Sequence, residues 1–199
     1  MIKVFAIALS LLATGFVAGC AGIRTVDSDV SSYTQWPADR KPTTYAFERL
    51  PSQQAQPQIQ DSLEAAARDA LAKAGFTEAA SASSADVTVQ VGARINRYDR
   101  SPWDDPFWWR GGPYWHPHRL GWWGPGLGMN YSAPRYEREV ALLIRDRKTG
   151  QALYEARASN ESISSGDSAT LAAMFEAALK DFPQAAVNPR RVSVQLSGK

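Results

Sequence analysis

Cysteine is nearly absent from this 199-residue chain, which has Cys20 and no other. One thiol closes no intramolecular disulfide, so the fold has to stand on its packed core. Histidine is almost as scarce, with only His116 and His118. Nucleophilic catalysis needs a base beside a serine or cysteine, and no such triad can be assembled from this set. Charge of one sign is lacking too: 22 Lys and Arg against 20 Asp and Glu leave +2. That balance gives no reason to expect nucleic acid as a partner. Nor does any apolar run reach the ~20 residues of a membrane-spanning helix. The run over residues 4–17 is interrupted by Ser10, Thr14 and Gly15.

That short run is instead expected to be a signal segment, with Lys3 before it as the positive end. It leads into Val17-Ala18-Gly19-Cys20, small residues that let an extended backbone enter a peptidase site, followed by a nucleophilic thiol. The tetrapeptide resembles the bacterial lipobox at all four positions. The resemblance implies removal of residues 1–19, a lipid-modified Cys20 at the head of the mature chain, and three acyl chains. At ~0.8 kcal/mol per buried CH₂, three chains anchor stably where one is marginal. Ala21, rather than aspartate, follows the cysteine, which by the same resemblance implies the outer membrane, facing the periplasm. The membrane is thus the expected partner through the N-terminal lipid.

Residues 20–42 read as a polar tether with a first strand possible near 23–30, since larger apolar residues are sparse there. Thr43-Thr44-Tyr45-Ala46-Phe47 is β-branched and aromatic, as strands are, and Leu50-Pro51-Ser52 stops it. Pro57 then opens a helix whose stripe is Ile59, Leu63, Ala66, Ala67, Ala70, Leu71 and Ala74. Gly75-Phe76 supplies the left-handed cap and its apolar partner. Val87, Val89, Val91, Ala93 and Ile95 alternate as a half-buried strand. Tyr136, Arg138, Val140, Leu142 and Ile144 form another, turned at Lys148-Thr149-Gly150 into a hairpin partner over 151–159. Asp167 or Ser168 caps a second helix over 169–182, with Leu171, Met174, Phe175, Ala178, Leu179 and Phe182 as its stripe. Val192, Val194 and Leu196 suit an edge strand or a loose end equally.

Two helices with one apolar stripe each, and strands with one apolar face, bury those surfaces together as an α+β, two-layer sandwich. The sheet is expected to be largely antiparallel with both helices on one face, within a single domain over 43–199. The element order resembles a bacterial lipoprotein family, the domain of unknown function 4136. The features that carry the likeness are Thr44-Tyr45-Ala46-Phe47, the helix ending in Gly75-Phe76, Ala85-Asp86-Val87-Thr88-Val89, the hairpin around Asp146 and Thr149-Gly150, and the helix running into Phe182-Pro183. Where members of the family often carry Trp-Arg-Gly in the last hairpin strand, this chain has Tyr154-Glu155-Ala156. The resemblance implies a fold and no activity.

Between the two long strands, at 97–134, the composition changes abruptly. Six of the seven tryptophans, six of the fourteen glycines and six of the twelve prolines fall there. Trp103, Trp108, Trp109, Trp115, Trp122 and Trp123 are the candidate interaction surface, because aromatic patches in water call for something to cover them. Lipid headgroups, another envelope protein and glycan all suit such rings. A plain low-complexity spacer also fits the composition. His116-Pro117-His118 with Asp104 or Asp105 offers weak candidate metal ligands, and no cofactor is expected. The chain therefore reads as a lipid-anchored envelope protein, a non-catalytic scaffold or interaction module. The alternative is a metal-dependent or carbohydrate-acting enzyme with its site in the insert.

Overall fold

A computed structural model of the chain describes residues 24–98 and 135–196. Seven strands form one mixed sheet, β1 (Thr25–Thr34), β2 (Thr44–Phe47), β3 (Thr77–Glu78), β4 (Val87–Tyr98), β5 (Arg135–Asp146), β6 (Ala152–Ser162) and β7 (Arg190–Gln195), in the order β3-β2-β4-β5-β6-β1-β7. Only β2 makes parallel pairs, with β3 and β4; the other neighbours are antiparallel. Three helices complete the described fold: α1 (Pro51–Gln54), α2 (Pro57–Lys73) and α3 (Ser168–Ala178). The α+β sandwich read from the sequence is the observed one, with α2 and α3 against each other on one face of the sheet.

The alternation of apolar residues explains which face that is. Val87, Val89 and Val91 of β4, Val140, Leu142 and Ile144 of β5, and Tyr154, Ala156 and Ala158 of β6 are all buried in one core. Their sequence neighbours point the other way, as the period of two requires. Leu153 breaks the phase. Ile144 pairs with Tyr154 but Arg145 with Ala152, so Leu153 is an extra residue, a β-bulge that buries it beside Tyr154 and leaves Ala152 outside. The Tyr154 hydroxyl donates to the Ala178 carbonyl at 2.9 Å, satisfying one of the orphan acceptors at the end of α3. Burial pushes that phenol up to about 12.

Several expectations need correction. The stretch read as a tether, 20–42, contains β1, which lies inside the sheet between β6 and β7. Its alternating Val26, Ser28, Val30 and Ser32 are buried, so the strand that the sequence allowed near 23–30 is present and runs on to Thr34. The described sheet thus includes residues before 43. Trp36 is core as well, edge-on to Phe76 and Phe182 with centroids 5.6 and 4.8 Å away. Ile59 is not part of the buried stripe but 66% exposed, while Gln60 and Glu64 take the inner positions. They are tolerated because Glu64 accepts two bonds from Arg49, at 2.6 and 2.7 Å. Gln60 in turn donates to Glu64 and to the Val91 carbonyl. The second helix stops at Ala178, four residues before Phe182, and the C-terminal stretch is the edge strand β7.

The β5–β6 turn makes one prediction. Asp146 accepts from the backbone of Lys148 and Thr149 at 3.0 and 2.9 Å and from Arg40 at 2.9 Å. Those bonds, the Thr149 amide foremost and Arg40 next, hold its carboxyl at about 2 against an ordinary 3.8. A depressed carboxyl gives stability that is complete above the unfolded value and lost as pH falls through the folded one. Asp146→Asn should therefore lower the urea midpoint at pH 7 and flatten its fall between pH 4 and pH 2. An unchanged slope in that window would show that the turn does not depend on this charge.

Candidate functional site

Cys20, the six tryptophans from Trp103 to Trp123, His116 and His118 all lie outside the described residues. What is described is where the chain leaves for them. Ser159 of β6 pairs with Asp29 on one side and Glu139 on the other, and Ala158 pairs with Val30 and Val140. β1 and β5 therefore run parallel on either side of β6, and four residues back from that level lie Thr25 and Arg135. Tyr98 pairs with Arg135. The start of β1 and both ends of the insert thus sit at one end of the sheet, two to three strand spacings apart, or roughly 10–14 Å.

This end is more apolar than the rest of the surface. Of seven large hydrophobic residues exposed among those described, Ile59, Ile95, Tyr98 and Ile163 are here. Ile59, Leu63, Ala93, Ile95 and Leu171 line a groove of about 710 Å³ between the first turns of α2 and the outer half of β4, with the side chains of Gln53, Gln56 and Gln60 at its rim. β2 pairs with β4 only as far as Val89, so from there the strand edge faces the groove. The Val91 carbonyl on that edge is covered by the Gln53 and Gln60 amides, at 2.8 and 3.4 Å. Polar pairs flank the same end, Arg135 with Glu161 in an ion pair at 2.6 Å and the Tyr98 hydroxyl donating to Glu137 at 2.9 Å.

One residue here escaped the sequence reading as a site residue. Arg138 stands in phase with Val140, Leu142 and Ile144 and is only 2% exposed. It donates to Asn160 Oδ1 at 2.8 Å and to the Ser164 carbonyl, while its Nε has no partner among the described residues. Gly166, at φ +77°, lies against the guanidinium, and a Cβ there would sit 3.0 Å from Cζ and Nε. The loop over 163–167 is thus shaped around this side chain. Burial pushes the guanidinium below its usual range, opposed by the charge of Asp167. An arginine in the buried phase of a strand was the available signal.

Among the described residues no cluster of three or more His, Cys, Asp or Glu is placed to hold a metal, and no helix is long and apolar enough to cross a membrane. A family model described as a domain of unknown function, DUF4136, matches residues 29–184. No curated protein matches the chain. Among solved structures, a PDZ domain protein from Parabacteroides distasonis ATCC 8503 is similar at 13% identity over 85% of this chain, with a TM-score of 0.48. This chain spans only 38% of that protein's length. The PelC dodecamer from Paraburkholderia phytofirmans is similar at 14% identity over 76% of this chain and 94% of its own, TM-score 0.43. A DUF4136 family protein from Bacteroides thetaiotaomicron VPI-5482 is 19% identical over 73% of this chain and 91% of its own, TM-score 0.23.

Proposed function

The chain belongs to the DUF4136 family, whose model covers residues 29–184, and from that premise, which brings no activity with it, we propose a function drawn from the fold itself. It is a non-catalytic envelope module, held to the outer membrane by lipid on Cys20, that applies its tryptophan-rich insert to the same lipid surface. The observation that supports this is the shared end of the sheet. Cys20 precedes Arg24 by four residues, a reach of at most ~14 Å. Both ends of the insert leave from roughly 10–14 Å away along that edge. An anchored domain therefore keeps the insert beside the headgroups, and tryptophan with arginine favours that interface. Exposed Ile95, Tyr98 and Ile163 add apolar surface on the same side.

The test uses residues 20–199 carrying Cys20→Ser, which retain every described element. Because Tyr98 and Arg135 already pair, a two-residue Asn-Gly turn can replace 99–134 as a hairpin loop. Loop entropy grows only logarithmically with length, so the shortened protein should melt no lower than the parent. Flotation with phosphatidylethanolamine/phosphatidylglycerol vesicles should show at least tenfold weaker binding once the insert is gone. Equal vesicle binding by both proteins would reduce the insert to a spacer, and unfolding of the shortened one would make its tryptophans core.

A further inference from the structure

The end of the sheet that carries the tether holds a second depression, unlike the apolar groove. It is a polar pocket of about 350 Å³ where the start of β1, the 163–167 loop and the first turn of α3 meet, lined among others by Arg24, Arg138, Asn160, Ser164, Thr170 and Arg191. Its cations outnumber its anions, with Arg24, Arg138 and Arg191 against Asp27 and Glu161. Asp27 accepts from the neutral Ser193 hydroxyl at 2.5 Å and keeps its charge, while Glu161 is taken by Arg135 at 2.6 Å. Arg191 is paired with Asp29 at 3.2 Å.

Among the described residues Arg24 and Arg138 are left without an ion pair. Among the described residues Arg24 makes no side-chain hydrogen bond, and Arg138 has only the neutral acceptors Asn160 and Ser164, with Nε unsatisfied. Asp167, whose carboxylate is engaged by Thr170, acts on both guanidiniums only through space. A buried guanidinium without a paired anion is costly, and the planar donor fork matches phosphate oxygens. Asn160, Ser164 and Thr170 add neutral polar groups around the same space.

The geometry points to a binding site for a phosphate-ester anion, held between Arg24 and Arg138, and its position favours the phosphodiester of a phospholipid headgroup as the source. The choice of source rests on the membrane reading above, since Arg24 stands four residues from Cys20. The site itself does not. A headgroup bound there would orient the domain on the membrane, with the insert's end of the sheet turned to the lipid.

The experiment follows the Arg138 Nε–H signal in ¹⁵N-labelled residues 20–199 carrying Cys20→Ser, the signal being identified by its loss in Arg138→Lys. Three solutes are titrated at matched ionic strength: glycerophosphoglycerol, inorganic phosphate and sodium chloride. A saturable shift with glycerophosphoglycerol, absent with chloride and at least tenfold weaker in Arg24→Ala, is the expected result. Arg24 is exposed, so its variant keeps the fold. Tighter binding of inorganic phosphate would keep the anion site and overturn the lipid source. No saturation with either phosphate, or equal binding by Arg24→Ala, would overturn the site. The probe is a soluble headgroup without a bilayer, so this result is independent of the vesicle test of the insert.

Discussion

Truncating Phe175 to alanine is expected to cost about 3–5 kcal/mol, the range for a buried aromatic, and to fall towards its upper end. Phe175 is fully buried on α3, which lies over β1, β5, β6 and β7. Several buried positions of that layer are alanine, Ala156 and Ala158 on β6 and Ala173, Ala177 and Ala178 on α3 itself. Alanine has no side-chain torsion with which to swing into a void, so those positions cannot help to refill the cavity left by the ring. The strands would have to move instead, against a continuous ladder. For a protein of this size each kcal/mol shifts the melting temperature by roughly 2–4 °C, so the loss should be on the order of 10 °C. Leu63→Ala should cost less, because Leu63 borders the open groove and the helix end can settle. Thermal unfolding of both variants in the Cys20→Ser background checks this, and equal or absent shifts would mean that α3 does not cover the sheet in this way.

The same small residues explain which parts of the fold were legible. Wherever buried positions are Val, Leu or Ile at a clean period, as in β4 and β5, the strand and its inner face could be read directly. The same held for Gly75, whose φ of +92° meets the left-handed requirement at the end of α2, with the Phe76 amide reaching the Leu71 carbonyl at 3.0 Å. β1 was legible only as a possible strand within a tether, because Ser28 and Ser32 occupy its buried phase, and hydroxyls at alternate positions look like a solvated segment. Ile59 failed for the opposite reason. Its spacing suits the stripe, yet Ile59 borders the open groove over the outer half of β4, and the inward positions fall to Gln60 and to Glu64, the latter neutralised by Arg49. Nothing local to residue 59 records that. The shared end of the sheet was equally hidden, since it depends on β6 joining β1 to β5 in register, a contact between residues more than a hundred positions apart.

Cys20→Ser in the full chain should abolish acylation outright and leave residues 1–19 attached. The reaction that the Val17-Ala18-Gly19-Cys20 motif implies forms a thioether, and a serine hydroxyl is far too weakly acidic to provide the nucleophile that a thiolate does. Each acyl chain contributes ~0.8 kcal/mol per buried CH₂, so losing all of them removes far more membrane affinity than an insert of aromatic residues can restore. The protein released when residues 1–19 are also removed should then move from the membrane fraction to the soluble one, retaining only the weak, insert-dependent vesicle binding described above. Growth with a labelled fatty acid reads the first step, and the intact mass of the purified protein reads the second. Label in the Cys20→Ser variant would place the lipid elsewhere. An unlabelled wild-type chain, with an intact mass that begins at residue 1, would remove the anchor altogether. In that case the common end of β1, β4 and β5 would still stand as a feature of the fold, but the membrane would no longer be what it faces.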